Sequence, residues 1–264
     1  MVKKLLFLNF DPQDHSAQYL EDLATGYWFS QTLFTAVEME IFTLLEPAGK
    51  TLPELAAALN VNLEGLKRFM QVLKALGLLA QDGEAWYNTK ISRQFLIKDG
   101  IGYQGDSILW RKSLMDNWQG LGDCLRTGTR TSFPHDDNEE DLTGRFRRYS
   151  QAMDCVARQK AREMLPFFAG VPLTGNILDV GSGTGAVSSA FLDAFPFSQA
   201  TLLDLAPVLE YAEEIIGNRY GKRIRFCPAN ILDDWSVGEK KVDLVIISNI
   251  VHAYGEAEIT GVLK

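Results

Sequence analysis

The chain has 264 residues, of which 46% are hydrophobic and 23% are charged, and its formal net charge is -8 at pH 7. This composition is typical of a soluble globular protein with room for one large domain or two small ones. The negative charge opposes nonspecific attraction to nucleic acid or to an anionic membrane surface.

The cysteines and the N-terminus indicate the compartment. Cys124, Cys155 and Cys227 lie far apart and show neither metal-ligand nor redox spacing, so we expect a reducing environment and no metal site. The N-terminal apolar run is too short for a signal peptide and is interrupted at Asp11. No apolar run approaches the length of a membrane-spanning helix. We therefore expect a cytoplasmic protein with no membrane partner.

The first part of the chain predicts three helices. Apolar residues at four-residue spacing predict one amphipathic helix over 28–45. Thr51 and Glu54 form a capping box that opens the second helix. Asn62 is placed to cap the third helix, and Gly77 to end it.

A hairpin follows these helices. Residues 78–80 and 85–87 are strand candidates on either side of Asp82-Gly83, a turn pair typical of hairpins. The order of helix, helix-turn-helix and hairpin predicts a winged-helix domain over residues 1–100. The predicted wing carries Asp82 and Glu84 and no basic residue, which argues against DNA binding.

Residues 101–170 are mostly helical in pattern and are interpreted as a connector. From residue 171 the pattern changes to alternating strands and helices, which predicts a parallel sheet with helices on both faces. The predicted strands are Asn176–Val180, Ala200–Asp204, Ile224–Cys227 and Val242–Ile247.

The most informative motif follows the first of these strands. Gly181, Gly183 and Gly185 stand at alternate positions just before a helical pattern. Such a turn lets backbone N–H groups approach a nucleotide-type ligand at a helix N-terminus. The glycines alone leave the ligand open, because Gly181, Gly183 and Ala186 also fit the dinucleotide fingerprint, with Asp204 near the expected ribose-binding position.

Asp179 favours a different ligand. Its carboxylate lies beside the turn, where it would repel a pyrophosphate and attract a cation. The segment ILDVGSGTG resembles the first motif of the S-adenosylmethionine-dependent methyltransferases, whose cofactor carries an ammonium and a sulfonium. The resemblance implies that Asp179, Gly181, Gly183 and Gly185 bind this cofactor and that Asp204 holds its ribose hydroxyls, with Leu205 beside it.

Two later turns extend the resemblance to that family. Asn230, next to Ile231, stands where the family usually has an acidic residue that contacts the adenine amino group. An asparagine side chain can still accept that hydrogen bond through its carbonyl oxygen. Ser248 follows the fourth strand, where the family lines the cofactor cleft.

The domain order resembles the dimeric small-molecule O-methyltransferases. The implied fold is an α/β Rossmann-like methyltransferase core over 171–264, preceded by a mainly α winged-helix domain that forms a homodimer. The implied acceptor is a small hydroxylated molecule, aromatic or polyene, in a pocket lined by the connector. In that family an aromatic residue and a Met on this segment face the acceptor, here Tyr149 and Met153.

His252 follows the fourth strand, at the position where this family has its general base. The family often has His-Asp-Trp there, whereas this chain has His252-Ala253-Tyr254. A phenol has a pKa of about 10, so an imidazole that accepts its proton makes the oxygen a better nucleophile toward the sulfonium methyl.

The sheet of that family continues beyond four strands, and none of the further strands occurs before Lys264. We therefore expect an incomplete sheet, from a cut version of a longer protein or a fragment that needs a partner, and weak or no catalysis by the 264-residue chain. Three other readings stay open: a winged-helix regulator that senses a ligand, a nicotinamide oxidoreductase, and a family member with lost or altered catalysis.

Overall fold

A computed structural model of the chain describes residues 17–129, 139–233, 235, 237 and 241–262. Contacts divide the chain into two compact units, with the division between residues 133 and 134. The segment interpreted as a connector, 101–170, therefore contributes helices to both units.

The first unit is mainly helical and includes a small antiparallel sheet. Its strands pair in the order β1-β3-β2 and are β1 (Lys50–Thr51), β2 (Leu79–Asp82) and β3 (Ala85–Asn88). Its described helices are α1 (Ala17–Thr25), α2 (Tyr27–Glu38), α3 (Ile41–Leu44), α4 (Leu52–Leu59), α5 (Leu63–Ala75), α6 (Lys90–Phe95), α7 (Gly105–Ser113), α8 (Met115–Gln119) and α9 (Leu121–Thr127).

The prediction of one helix over 28–45 is wrong in the middle of that segment. Glu40 has a φ of 52° and lies in the left-handed region, which ends α2 and starts α3. A left-handed residue breaks the helical hydrogen-bond ladder. Val37 and Ile41 are nevertheless both buried in the same core, as their spacing indicated.

The predicted caps are confirmed. The Thr51 hydroxyl accepts a hydrogen bond from the Glu54 N–H, and the Thr51 N–H donates to Glu54 Oε2 at 2.8 Å. Asn62 Oδ1 accepts from the Gly65 N–H at 2.9 Å and opens α5. Gly77 follows the end of α5 with a φ of 76°.

The predicted hairpin is also confirmed. Strands β2 and β3 pair antiparallel on either side of a turn in which Gly83 has a φ of 56°. Trp86 on β3 is fully buried in the core of this unit. Strand β1 was not predicted, because two residues are too few to show a period.

The second unit is a parallel sheet with helices. All four predicted strands are confirmed to within two residues, and they pair in the order β6-β5-β4-β7. The strands are β4 (Asn176–Val180), β5 (Gln199–Asp204), β6 (Ile224–Pro228) and β7 (Leu244–Ile247). The helices are α10 (Glu139–Met164), α11 (Ala186–Ala194), α12 (Ala206–Tyr220) and α13 (Glu256–Val262).

The strand order reverses at β4, which pairs with β5 on one side and with β7 on the other. In open parallel sheets, ligands bind outside the carboxyl ends of the strands at such a reversal. The ILDVGSGTG segment runs along β4 and out of its carboxyl end. Topology therefore places the glycine motif at the expected ligand position.

In the part of the chain that the structure describes, no helix is long and apolar enough to cross a membrane. The same residues contain no group of three or more His, Cys, Asp or Glu side chains arranged to hold a metal ion. The three cysteines form no disulfide.

Candidate functional site

A cavity of about 380 Å³ lies over the carboxyl ends of the four parallel strands. Its volume falls within the range of small-molecule sites. Its wall contains one face of α10 together with the turns that follow β4, β5, β6 and β7. The strand ends and these turns contribute the lining residues Asp179, Gly181–Thr184, Asp204, Leu205, Ala229–Ile231, Ser248–Ile250 and Tyr254.

Two further concave regions of the second unit bear comparison with this cavity. A groove of about 560 Å³ runs along β7, and a small cavity of about 110 Å³ lies near the amino ends of β4, β5 and β6. The glycine loop, which we define as residues 181–185, lines neither of them. We therefore take the cavity at the strand ends as the candidate site.

The glycine loop depends on backbone conformations that side chains disfavour. Gly181 and Gly183 have φ values of 68° and 54°. A Cβ atom at Gly181 would come within 2.9 Å of the Ile250 side chain, so this position has no room for one. A Cβ atom at Gly183 would meet nothing within 4 Å, because this glycine faces open space.

Gly185 lies on the core side of the glycine loop. It is absent from the residues that line the cavity, and it precedes α11 with a φ of 74°. A Cβ atom there would lie 2.6 Å from Ile216 Cδ1 and 2.8 Å from Leu202 Cδ1. The loop turns into the core at this point, so Gly185 allows close packing against these side chains.

Asp179 is the most deeply buried acid of the site, with 2% of its surface exposed. The Ser188 hydroxyl donates a hydrogen bond to Asp179 Oδ2 at 2.6 Å. Burial raises the pKa of Asp179 to about 6, because a charged carboxylate loses its hydration there. A cationic ligand in the cavity would favour the ionised form.

Asp204 lies at the end of the neighbouring strand β5. Its Oδ2 accepts a hydrogen bond from the Gly183 N–H and its Oδ1 from the Leu205 N–H, each at 2.8 Å. Burial raises its pKa despite these two bonds. Burial and then the charge of Asp204 raise the pKa of Tyr149, so Tyr149 lies within electrostatic range of this carboxylate.

The turns after β6 and β7 contribute the remaining predicted cofactor residues. Ile231 is buried, while Asn230 is exposed and its Oδ1 accepts a hydrogen bond from the Leu232 N–H at 3.2 Å. Ser248 is half-buried in the cavity wall. Asn249, with a φ of 60°, places its Nδ2 at 3.9 Å from the sulfur of Met153 on α10.

The structure brings together the other predicted cofactor residues and both predicted substrate residues, Tyr149 and Met153. It does not bring His252 into the cavity wall. His252 is exposed on a short 3-10 turn, Val251–Ala253, while Tyr254 lines the cavity.

Several lining residues were not predicted. Phe146 and Lys160 lie on the same face of α10 as Tyr149 and Met153, and extending that three-to-four-residue spacing in both directions would have found them. Among the described residues, Lys160 is the one cationic side chain that lines the cavity. Thr184 was also missed, although it is part of the motif.

Comparisons with known proteins agree with the fold. A model described as the O-methyltransferase dimerisation domain matches residues 21–98, and one described as the O-methyltransferase domain matches residues 123–264. An acetylserotonin O-methyltransferase from Gallus gallus is 28% identical over 90% of this chain and 72% of its own length.

A 3-hydroxy-5-methyl-1-naphthoate 3-O-methyltransferase from Streptomyces sahachiroi is 27% identical over 90% of this chain and 70% of its own length. The crystal structure of human N-acetylserotonin methyltransferase in complex with S-adenosylmethionine superposes with a TM-score of 0.78 at 22% identity. That match covers 96% of this chain and 76% of the human chain, and it shows a common fold.

Proposed function

This chain belongs to the O-methyltransferase family, and we propose on that premise that it transfers a methyl group from S-adenosylmethionine to a hydroxyl of a small aromatic acceptor. One observation carries the proposal: Asp179 and Asp204 both line a cavity that Gly181–Thr184 of the glycine loop also line. The acceptor class is supported by the relatives, which are named for an acetylated hydroxyindole and a hydroxynaphthoate.

The residues of the cavity fit the cofactor in both charge and order. Adjacent parallel strands lie about 4.8 Å apart. The side chains at the ends of β6, β5 and β4 therefore follow one another along the cavity in the order of the strands. Asn230, which follows β6, would contact the adenine. Asp204, at the end of β5, would bind the ribose hydroxyls. Asp179 on β4 would stabilise the ammonium group, and Lys160 the carboxylate.

The acceptor would bind against α10. Tyr149 and Met153 present an aromatic ring and a polarisable sulfur to the cavity, both of which suit a flat apolar molecule. When bound, the cofactor supplies an electrophilic methyl group on its sulfonium. The protein holds the acceptor oxygen in line with that group, which removes much of the entropic barrier.

We assign the general base to His252. It follows β7 at the same edge of the sheet as the cavity, and its imidazole is suited to accepting the proton of a phenolic hydroxyl. The side chain is exposed and lies outside the cavity wall. Hydrogen bonds of a catalytic base often become short only when substrate is bound, so the ligand-free geometry does not exclude His252. Substitution of His252 tests the assignment.

We also propose that the first unit forms a homodimer. The match to the dimerisation-domain model covers residues 21–98. The N-terminal helices of the first unit expose large apolar side chains, which a second copy of this chain would cover. These are Leu20, Leu23, Tyr27 and Trp28, between 51% and 65% exposed.

Titration calorimetry tests the cofactor assignment. We expect S-adenosylhomocysteine, the demethylated product, to bind saturably to the 264-residue chain and NADH to give no saturable heat. The reason is that a dinucleotide would bring its pyrophosphate next to Asp179, where like charges repel. Saturable binding of NADH without binding of S-adenosylhomocysteine would instead identify a nicotinamide enzyme.

The affinity for S-adenosylhomocysteine should also depend on pH. The ligand's ammonium favours ionised Asp179, whose pKa of about 6 means that this carboxylate becomes protonated as the pH falls below that value. We expect the Kd to rise about tenfold between pH 7.5 and pH 5. Asp179→Asn should bind more weakly at pH 7.5 and show a flatter profile. Equal pH slopes for the two proteins would contradict the role of Asp179.

The same raised pKa predicts the sign of the effect on stability. Between the ordinary carboxyl pKa of 3.8 and about 6, the folded state binds more protons than the unfolded state. The buried charge therefore destabilises the ligand-free fold progressively as the pH rises through that window. In thermal unfolding at pH 7.5, Asp179→Asn should be at least as stable as wild type.

A further inference from the structure

The glycine loop is anchored from two sides. On one side the Gly183 N–H donates to Asp204. On the other side the Thr184 hydroxyl donates a hydrogen bond of 2.7 Å to Asp154 Oδ1 on α10. The second oxygen of Asp154 accepts from Arg158 Nε at 2.6 Å.

The hydrogen bond between Thr184 and Asp154 is placed where it can restrict the conformation of the glycine loop. Thr184 is 5% exposed and the Asp154 side chain 16% exposed, so water competes poorly for the bond. A hydroxyl that donates to a carboxylate makes a charge-assisted hydrogen bond, which is stronger than a neutral one. The glycines in the loop widen its conformational freedom, so such an anchor limits the alternatives.

Asp154 also joins two parts of the cavity. It immediately follows Met153 on α10, the helix whose face lines the proposed acceptor side. Thr184 is in the loop that lines the proposed cofactor side. Among the described groups, this hydrogen bond therefore ties the acceptor-lining helix directly to the cofactor-binding loop.

We propose that Asp154 is a positioning residue, which acts through Thr184 to hold the glycine loop in the conformation that binds the cofactor. The proposal rests on the proposed function. It implies that a movement of α10 changes cofactor affinity. By thermodynamic reciprocity, cofactor binding then favours the position of α10 in which the bond between Asp154 and Thr184 is formed.

The experiment measures the Kd of S-adenosylhomocysteine by calorimetry for four single variants and one double variant of the 264-residue chain. Thr184→Val keeps the side-chain shape and removes the hydroxyl, and Asp154→Ala removes the acceptor. Each should weaken binding about tenfold, the size expected for losing one charge-assisted hydrogen bond. Thr184→Ser keeps the hydroxyl and should bind within about twofold of wild type. Arg158→Gln should also bind within about twofold, because an exposed ion pair contributes little.

The double variant Asp154→Ala/Thr184→Val provides the decisive comparison. If both residues act through their shared bond, it should bind no more weakly than Asp154→Ala alone. A general loss of stability would not reproduce this non-additivity together with the rescue by serine. Wild-type affinity in Thr184→Val, or additive losses in the double variant, would overturn the positioning role while leaving the proposed function intact. No binding by the wild type would reject the proposed function and the positioning role with it.

Discussion

Replacing Asp204 with alanine is expected to weaken the binding of S-adenosylhomocysteine by at least about a hundredfold. Asp204 is the proposed partner of two ribose hydroxyls, and hydrogen bonds to a charged group each contribute about 1.5–3 kcal/mol. The substitution also removes the acceptor of the Gly183 N–H, which holds the glycine loop. Calorimetric titration at pH 7.5 measures the combined loss.

Two further variants separate these effects. Asp204→Asn keeps one side-chain acceptor and should weaken binding less than Asp204→Ala does. Asp193 accepts hydrogen bonds from Arg219 and Tyr220 on the same unit but does not line the cavity. Asp193→Asn should leave the Kd unchanged within about twofold. A loss in Asp193→Asn as large as in Asp204→Asn would point to general destabilisation.

In a version of the protein with measurable turnover, replacing His252 with alanine is expected to lower kcat by about 10²- to 10⁴-fold, the usual contribution of a general base. The Kd of S-adenosylhomocysteine should stay unchanged, because His252 does not line the cavity. The rate of S-adenosylhomocysteine formation, with N-acetylserotonin and 3-hydroxy-5-methyl-1-naphthoate as acceptors, measures the effect. Turnover equal to that of wild type would remove His252 as the base.

Tyr254→Phe is the matched comparison for this assignment. Tyr254 lies two residues after His252 and does line the cavity, so its hydroxyl is the nearby alternative for a proton-transfer group. If His252 is the base, Tyr254→Phe should retain most of the wild-type kcat. A large loss in Tyr254→Phe together with full activity in His252→Ala would transfer the role to the tyrosine.

Features that depend on neighbours in the chain could be predicted from the sequence. The capping box of Thr51 and Glu54 joins residues three positions apart, and the hairpin turn at Gly83 joins two adjacent strands. The four parallel strands were recognisable by their apolar runs and by the turns that bound them. Such predictions failed where a single left-handed residue ended a helix, at Glu40, and where a strand was too short to show a period, at β1.

The acids of the site were predictable for a related reason. Asp179 and Asp204 lie 25 residues apart in the sequence, but each stands at or near the carboxyl end of a strand. Parallel pairing brings strand ends together, so identifying the strands was enough to place both carboxylates at one edge. The same reasoning located Ser248 and Asn230.

The sequence by itself determined the family resemblance and the succession of strands and helices along the chain. It also determined that Asp179 favours a ligand with positive charge. Only the tertiary structure decided that Gly185 packs against the core, that His252 is exposed and that Asp154 holds Thr184. The physical reason is range. Periodicity and capping act within a few residues. The contact between Asp154 and Thr184 spans 30 positions and exists only once α10 has packed against α11 within the second unit.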